Sequence, residues 1–241
     1  MELYKAVKNN NIEDVIKLLK MNIDVNYQGD AEYTSLHLAC KYGYLDILKI
    51  LLNNKEINLN LQNTFDMTPL ILAASNCKIE IVDYLIKDKR LNLNETDYDG
   101  ENILQLSFYF FDYDIIIKLI QDNRLNINHQ NYYGDTLLHI ICSYKYSYIY
   151  DLKILLCYER NIDLNIKNYN DKTAEDLALE YNKIAFLNIL NQYKQNKEKI
   201  SKQFRKEFDL KDLNINEKFI LFCADSDIIQ IKKLLKKKNY K

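Results

Sequence analysis

Ile23-Asp24-Val25-Asn26, Ile57-Asn58-Leu59-Asn60, Leu91-Asn92-Leu93-Asn94, Leu125-Asn126-Ile127-Asn128 and Ile162-Asp163-Leu164-Asn165 are one pattern written five times: aliphatic, Asp or Asn, aliphatic, Asn. The closing asparagines lie 34, 34, 34 and 37 residues apart. A single copy reads as a short half-buried strand. Five copies at a nearly fixed period read instead as a stacked repeat architecture, whose units recur roughly every 20–50 residues.

A second landmark follows each closing asparagine by eight residues: Thr34, Thr68, Asn102, Thr136 and Thr173. These residue types cap helix N-termini, because a short side-chain oxygen accepts an otherwise unpaired backbone N–H. Pro69, the single proline, follows Thr68 at the first helical position, where its missing N–H is harmless. A helix is predicted to start at each landmark. A second helix follows, marked by apolar pairs four apart: Ile47, Leu48, Leu51 and Leu52; Ile81, Val82, Leu85 and Ile86; Ile115, Ile116, Leu119 and Ile120. Val15, Leu18 and Leu19 repeat the stripe near the start, and Leu152, Leu155 and Leu156 repeat it later. The fifth unit is three residues longer, two of them in SYKYSYIY (143–150) between its helices. Such insertions map to loops.

The strings at the landmarks are TSLH (34–37), TPLI (68–71), NILQ (102–105), TLLH (136–139) and TAED (173–176). In them the chain resembles the ankyrin-repeat family, whose unit centres on T-P-L-H and closes on V-N. The resemblance covers residues 1 to about 193. It departs from the family pattern in keeping the proline once, the histidine at His37 and His139, and the inter-helix glycine only at Gly43. Cys77, Phe111, Lys145 and Asn182 stand at or near that glycine's other positions, where a side chain is expected to cost stability.

The resemblance implies an all-α solenoid of stacked helix-turn-helix units joined by hairpin loops. Its units are 1–33, 34–67, 68–101, 102–135, 136–172 and 173–193, each leaning on its neighbours for a core. Residues 194–217 read as a charged linker helix with a thin stripe of Ile200, Phe204 and Phe208. Residues 218–241 match the opening unit at an offset of 216 and read as a further ankyrin-like helical hairpin. That hairpin is either a cap or the start of a second array.

Composition narrows the setting. The first ten residues, MELYKAVKNN, hold no apolar signal region, and no run approaches a membrane span. Five scattered cysteines (Cys40, Cys77, Cys142, Cys157 and Cys223) form no C-x-x-C pair, which suggests a reducing compartment rather than a disulfide frame or zinc site. A cytoplasmic, monomeric protein is expected, with action in its own cell or in a host both open. The net charge of −1 hides an asymmetry: residues 192–241 carry 14 Lys/Arg against 7 Asp/Glu, or +7, leaving −8 for residues 1–191.

No Gly-rich phosphate loop, G-x-S-x-G or H-E-x-x-H motif is present, so no catalytic residue, metal or cofactor is expected. His37 and His139 read as loop-bonding structural residues, His129 has no repeat-related ligand partners, and Cys40 and Cys142 mark a small core position. The repeat landmarks Asn26, Asn60, Asn94, Asn128 and Asn165, with Thr34, Thr68, Thr136 and Thr173, read as scaffold.

In the family, partners are contacted by hairpin tips and by the exposed ends of first helices. Register carries 25 positions over, of which 11 are aromatic where the 12% aromatic content would give 3. They are Tyr33, Tyr42, Phe65, Tyr98, Tyr109, Phe110, Tyr132, Tyr133, Tyr144, Tyr169 and Tyr181. Tyrosine offers rigid contact area with a hydroxyl suited to a wet interface. The reading is a protein–protein interaction module with a Tyr-rich concave face and an unidentified protein partner, not an enzyme and not a small-molecule binder. One alternative is binding of nucleic acid or an anionic membrane surface through KKLLKKKNYK (232–241). The other is an accessory or inhibitory subunit of an enzyme.

Overall fold

The computed structural model describes residues 1–21, 23–109, 113–158 and 161–208. Phe110, Phe111, the expected hairpin at 218–241 and its basic run lie outside the described residues. Among those described, the secondary structure is thirteen α-helices, one 3-10 turn at Asp30–Glu32 and two isolated bridges. The chain divides into two compact units, Met1–Tyr132 and the part from Tyr133 onward.

The first unit holds α1 (Glu2–Lys8), α2 (Ile12–Leu19), α3 (Ser35–Tyr42), α4 (Leu45–Leu52), α5 (Pro69–Ser75), α6 (Ile79–Leu85), α7 (Ile103–Tyr109) and α8 (Tyr113–Gln121). The second holds α9 (Leu137–Ser143), α10 (Ile149–Cys157), α11 (Ala174–Glu180), α12 (Ile184–Gln195) and α13 (Lys197–Phe208). In the first unit, odd-numbered helices pack on odd and even on even, and each odd helix pairs with the even helix after it. Most of these helices have seven to nine residues. Isolated helices that short are marginal in water, so packing supplies most of their stability.

Each first helix starts on its cap. Thr34, Thr68, Thr136 and Thr173 accept a backbone N–H from the residue three further on, and Asn102 Oδ1 accepts from the Leu104 and Gln105 N–H groups. In α3 the bond is reciprocated, since the Thr34 N–H donates to His37 Nδ1 at 3.0 Å. That leaves Nε2 to carry the ring proton and donate to Met67 O in the next loop, also at 3.0 Å. His139 repeats both contacts, reaching Lys172 O at 3.1 Å. Gln105 holds the same position in the fourth repeat, and its Oε1 accepts from the Asn102 N–H. Burial holds His37 neutral, with its pKa lowered to about 4. Burial lowers the pKa of His139 as well.

Between first and second helices the chain turns through left-handed backbone: Asn10 (φ 53°), Gly43 (φ 79°), Cys77 (φ 53°) and Asn182 (φ 54°). The longer fifth repeat solves the turn differently. Tyr144 is extended, and Lys183 from the following repeat donates to Ile141 O at 3.0 Å, to Tyr144 O at 2.6 Å and to Ser147 Oγ. Lys183 thus ties down the inserted segment.

The aliphatic–Asx–aliphatic–Asn pattern has a division of labour. Val25, Ile57, Leu59, Leu91, Leu93, Leu125, Ile127 and Ile162 are buried. The second residue folds the loop on itself: Asp24, Asn58, Asn92, Asn126 and Asp163 each accept the backbone N–H of the closing Asn. In three loops of the first unit the closing Asn reaches into the next repeat. Asn26 Nδ2 donates to Glu56 O and its Oδ1 accepts from the Asn58 N–H. Asn60 does the same with Arg90 O and the Asn92 N–H, and Asn94 with Arg124 O and the Asn126 N–H. A parallel series runs through Arg90 and Arg124. Arg90 donates to Leu52 O and Asn54 O, and Arg124 to Ile86 O and Asp88 O. These are carbonyls at the C-terminal ends of α4 and α6, where a cation is favoured.

In the second unit the register places that face onward from α11 mix polar and apolar residues. Glu175, Asp176 and Leu179 of α11 occupy the register places of Leu138, His139 and Cys142 in α9; Asp176 and Leu179 are exposed. Helix α13 does not extend the stack but lies against α10 and α12, burying Ile200 and Phe204. Ser201 Oγ donates to Leu156 O at 2.7 Å, and Lys153 pairs with Glu207 at 2.7 Å.

Candidate interaction site

Three of the hairpin tips are each built by one buried Asx residue. Asn63 Oδ1 accepts the N–H groups of Phe65 and Met67, Asp97 Oδ1 those of Asp99 and Glu101, and Asn168 Oδ1 those of Asn170 and Lys172. The turn then passes through left-handed backbone at Asp66, Gly100, Gly134 and Asp171. This turn lifts the residues between out of the core. The tips also hydrogen-bond along each unit: Thr64 N–H to Ala31 O, Tyr132 N–H to Asp99 O, and Tyr169 N–H to Tyr133 O.

Seven of the candidate aromatics are exposed. Phe65 is 52% exposed, Tyr98 59% and Tyr132 66% in the first unit, where Tyr42 is exposed too. Tyr133, Tyr169 and Tyr181 are exposed in the second, Tyr169 most of all at 76%. Tyr33, Tyr109 and Tyr144 are half-buried. The Tyr109 hydroxyl is turned to Glu101 Oε1 at 3.0 Å. Lys41 Nζ stands 5.0 Å from the Tyr33 ring centroid and 5.8 Å from that of Tyr42, within cation–π range.

Two glycines explain how bulky rings fit side by side. A Cβ on Gly100 would fall 2.6 Å from Tyr132 Cδ1, and one on Gly134 would fall 2.8 Å from Tyr169 Cδ1. Each glycine supplies both the left-handed turn and a seat for the next repeat's tyrosine. The tip of the third repeat is also acidic. Burial raises the pKa values of Asp97 and Glu101, and the nearby Asp99 is the main cause of a raised Tyr98 pKa.

Tyr146 and Tyr148, in the inserted segment of the fifth repeat, are exposed and were not among the residues picked out by register. They escaped because the insertion has no counterpart in the other repeats; the ring-rich string SYKYSYIY was the available signal. No group of three or more His, Cys, Asp and Glu able to hold a metal occurs among the described residues. A cavity lined by Ala74, Cys77, Val82 and Ile115 has about 40 Å³. Drug-sized ligands need roughly 300 Å³ or more. Cys142, whose thiol burial pushes up to about 12, is fully enclosed. No helix among the described residues is long and apolar enough to cross a membrane.

Known proteins agree with this architecture. The chain is 39% identical over 51 residues to human protein phosphatase 1 regulatory subunit 27, a match spanning 21% of this chain and a third of that protein. It is 27% identical to a chain in the structure of a predatory endopeptidase from Bdellovibrio bacteriovorus in complex with an immunity protein. The TM-score is 0.64, over 79% of this chain and 97% of that one. An ankyrin-repeat protein crystal structure matches at TM-score 0.70 and 26% identity, over 80% and 97% of the two chains. An ankyrin-repeat domain from Acinetobacter baumannii shares the fold, at TM-score 0.67 and 15% identity, over 77% and 94%. A family model described as ankyrin repeats (3 copies) matches residues 3–97 and 36–131. With helix pairs, Thr caps and Asn-closed loops recurring in one register, the chain belongs to the ankyrin-repeat family.

Proposed function

We propose that the chain binds a protein partner through the aromatic tips and first-helix ends of its repeats. Ankyrin repeats are generally protein–protein interaction modules without catalytic activity. The observation that carries the reading is the exposure of Phe65, Tyr98, Tyr132, Tyr133 and Tyr169 at tips whose backbone is fixed by buried Asx side chains and left-handed turns. A rigid backbone presenting rings loses little entropy on binding. The test replaces Tyr98, Tyr132 and Tyr133 with Ala and compares capture from a lysate by mass spectrometry. Loss of specific partners with an unchanged circular dichroism spectrum is expected. Unchanged capture overturns the reading.

A second reading narrows the partner to an enzyme. It is favoured by the similarity to a phosphatase regulatory subunit and to a chain from an endopeptidase–immunity protein complex. In that case the captured set contains an enzyme whose activity changes when the purified chain is added. An activity that stays constant across saturating additions removes this narrower reading.

A further inference from the structure

We propose that the tips of the first unit take an extended peptide rich in Lys and Arg, a reading that rests on the interaction module above. The tip segments 27–34, 61–68 and 95–102 hold seven carboxylates and no Lys or Arg, in a chain whose 33 basic residues nearly balance its 34 acidic ones. Among these carboxylates stand the exposed rings of Phe65, Tyr98 and Tyr132. An aromatic face beside a carboxylate offers a cation two attractions at once, from the ring quadrupole and from the charge. A neutral apolar partner would gain from the rings alone and would have to desolvate the carboxylates unpaired.

The molecule already uses this chemistry on its own lysines. Lys8 Nζ lies 3.3 Å from Asp30 Oδ2 and 5.9 Å from the Tyr4 centroid, and Lys41 stands over Tyr33 and Tyr42. The acidic groups within reach of a partner are Asp30, Glu32 and Asp66, which are exposed, and Asp99, which is half-buried. Asp97 and Glu101 are engaged with their own turn and with Tyr109 and Asn131, so they add negative potential without contact.

An independent feature points to a peptide main chain. Asn63 is only 3% exposed and its Nδ2 has no acceptor among the described residues. Its repeat equivalents Asn131 and Asn168 donate to Glu101 and Asp135 of the preceding tip. At the first joint Tyr33 takes that register place and offers no carboxylate. Nδ2 is enclosed by its own tip, so a main-chain carbonyl laid along the tips would satisfy this donor only with a shift of that tip.

The test measures fluorescence anisotropy of a labelled peptide of alternating Lys, Arg and Ala, and of its Glu-substituted counterpart, against the full chain. The basic peptide is expected to bind and the acidic one not. Tyr98→Ala with Tyr132→Ala, and separately Asp30→Asn with Asp66→Asn and Asp99→Asn, should each weaken binding about tenfold or more. Glu13→Gln with Glu80→Gln, on second helices, should leave it unchanged. Equal loss in this control reduces the effect to general acidity and overturns the proposal. Binding that appears only after deletion of residues 232–241 makes the chain's own basic segment the occupant and overturns a separate partner. If the basic peptide fails to bind while lysate capture still depends on Tyr98, Tyr132 and Tyr133, the cationic specificity falls and the interaction module stands.

Discussion

Asn60 and Asn63 stand three positions apart, yet the stretches they mark do opposite work. In the loop closed by Asn60, both ends of the side-chain amide are committed to the backbone of the next repeat. In the tip opened by Asn63, Oδ1 of that residue folds the turn, and Phe65 at its summit faces solvent. The same contrast recurs between Asn94 and the Tyr98 tip. If the proposed interaction runs through the tips, stability and recognition are segregated along one connection, and each should be removable without the other.

The sharpest way to strain the joint side is acid. His37 prefers its neutral form when folded, so its contribution is intact above pH 6.5 and is lost as pH falls toward about 4. The full loss is on the order of 3 kcal/mol, and His139 shifts in the same direction. Asp97 and Glu101, raised by burial, oppose part of this at the acid end, because protonation favours their folded environment. Urea titrations between pH 7 and pH 4 should show stability falling. His37→Gln should flatten the slope, since Gln105 already performs that role.

Next in size, Asn94→Ala removes the bonds to Arg124 O and the Asn126 N–H, and should cost about 2 kcal/mol in denaturant titration. Cys77→Gly has the opposite sign: relieving a non-glycine left-handed residue should stabilise the chain by about 1 kcal/mol. At the small end, Tyr98→Ala should change stability by no more than about 0.5 kcal/mol while weakening partner capture. A loss of several kcal/mol there would mean that the tips hold the stack together, and would dissolve the contrast.

The helical repeat was legible because caps and closing asparagines act locally and recur in register. Thr34 can cap only the helix that follows it, whatever the rest of the chain does. The Arg90 and Arg124 contacts were not legible, because a guanidinium reaching carbonyls some 36 residues back leaves no mark in local spacing. Nor was the seating of α13, whose Ile200 and Phe204 stripe shows that one face is covered but not by which helices. For the proposed interaction site, register could select positions common to the repeats of this family, but Tyr109 has its hydroxyl turned to Glu101, a contact no spacing announces. Tyr146 and Tyr148 lie where register itself lapses.

The closing asparagines Asn26, Asn60 and Asn94 bond to backbone atoms of the neighbouring repeat, to Glu56 O and the Asn58 N–H in the case of Asn26. Every residue type supplies that carbonyl, and all but proline supply that N–H. Such a fastening is blind to the identity of the side chains it joins. Repeats held this way can exchange their outward-facing residues freely, as tenants change in a building whose joists stay put.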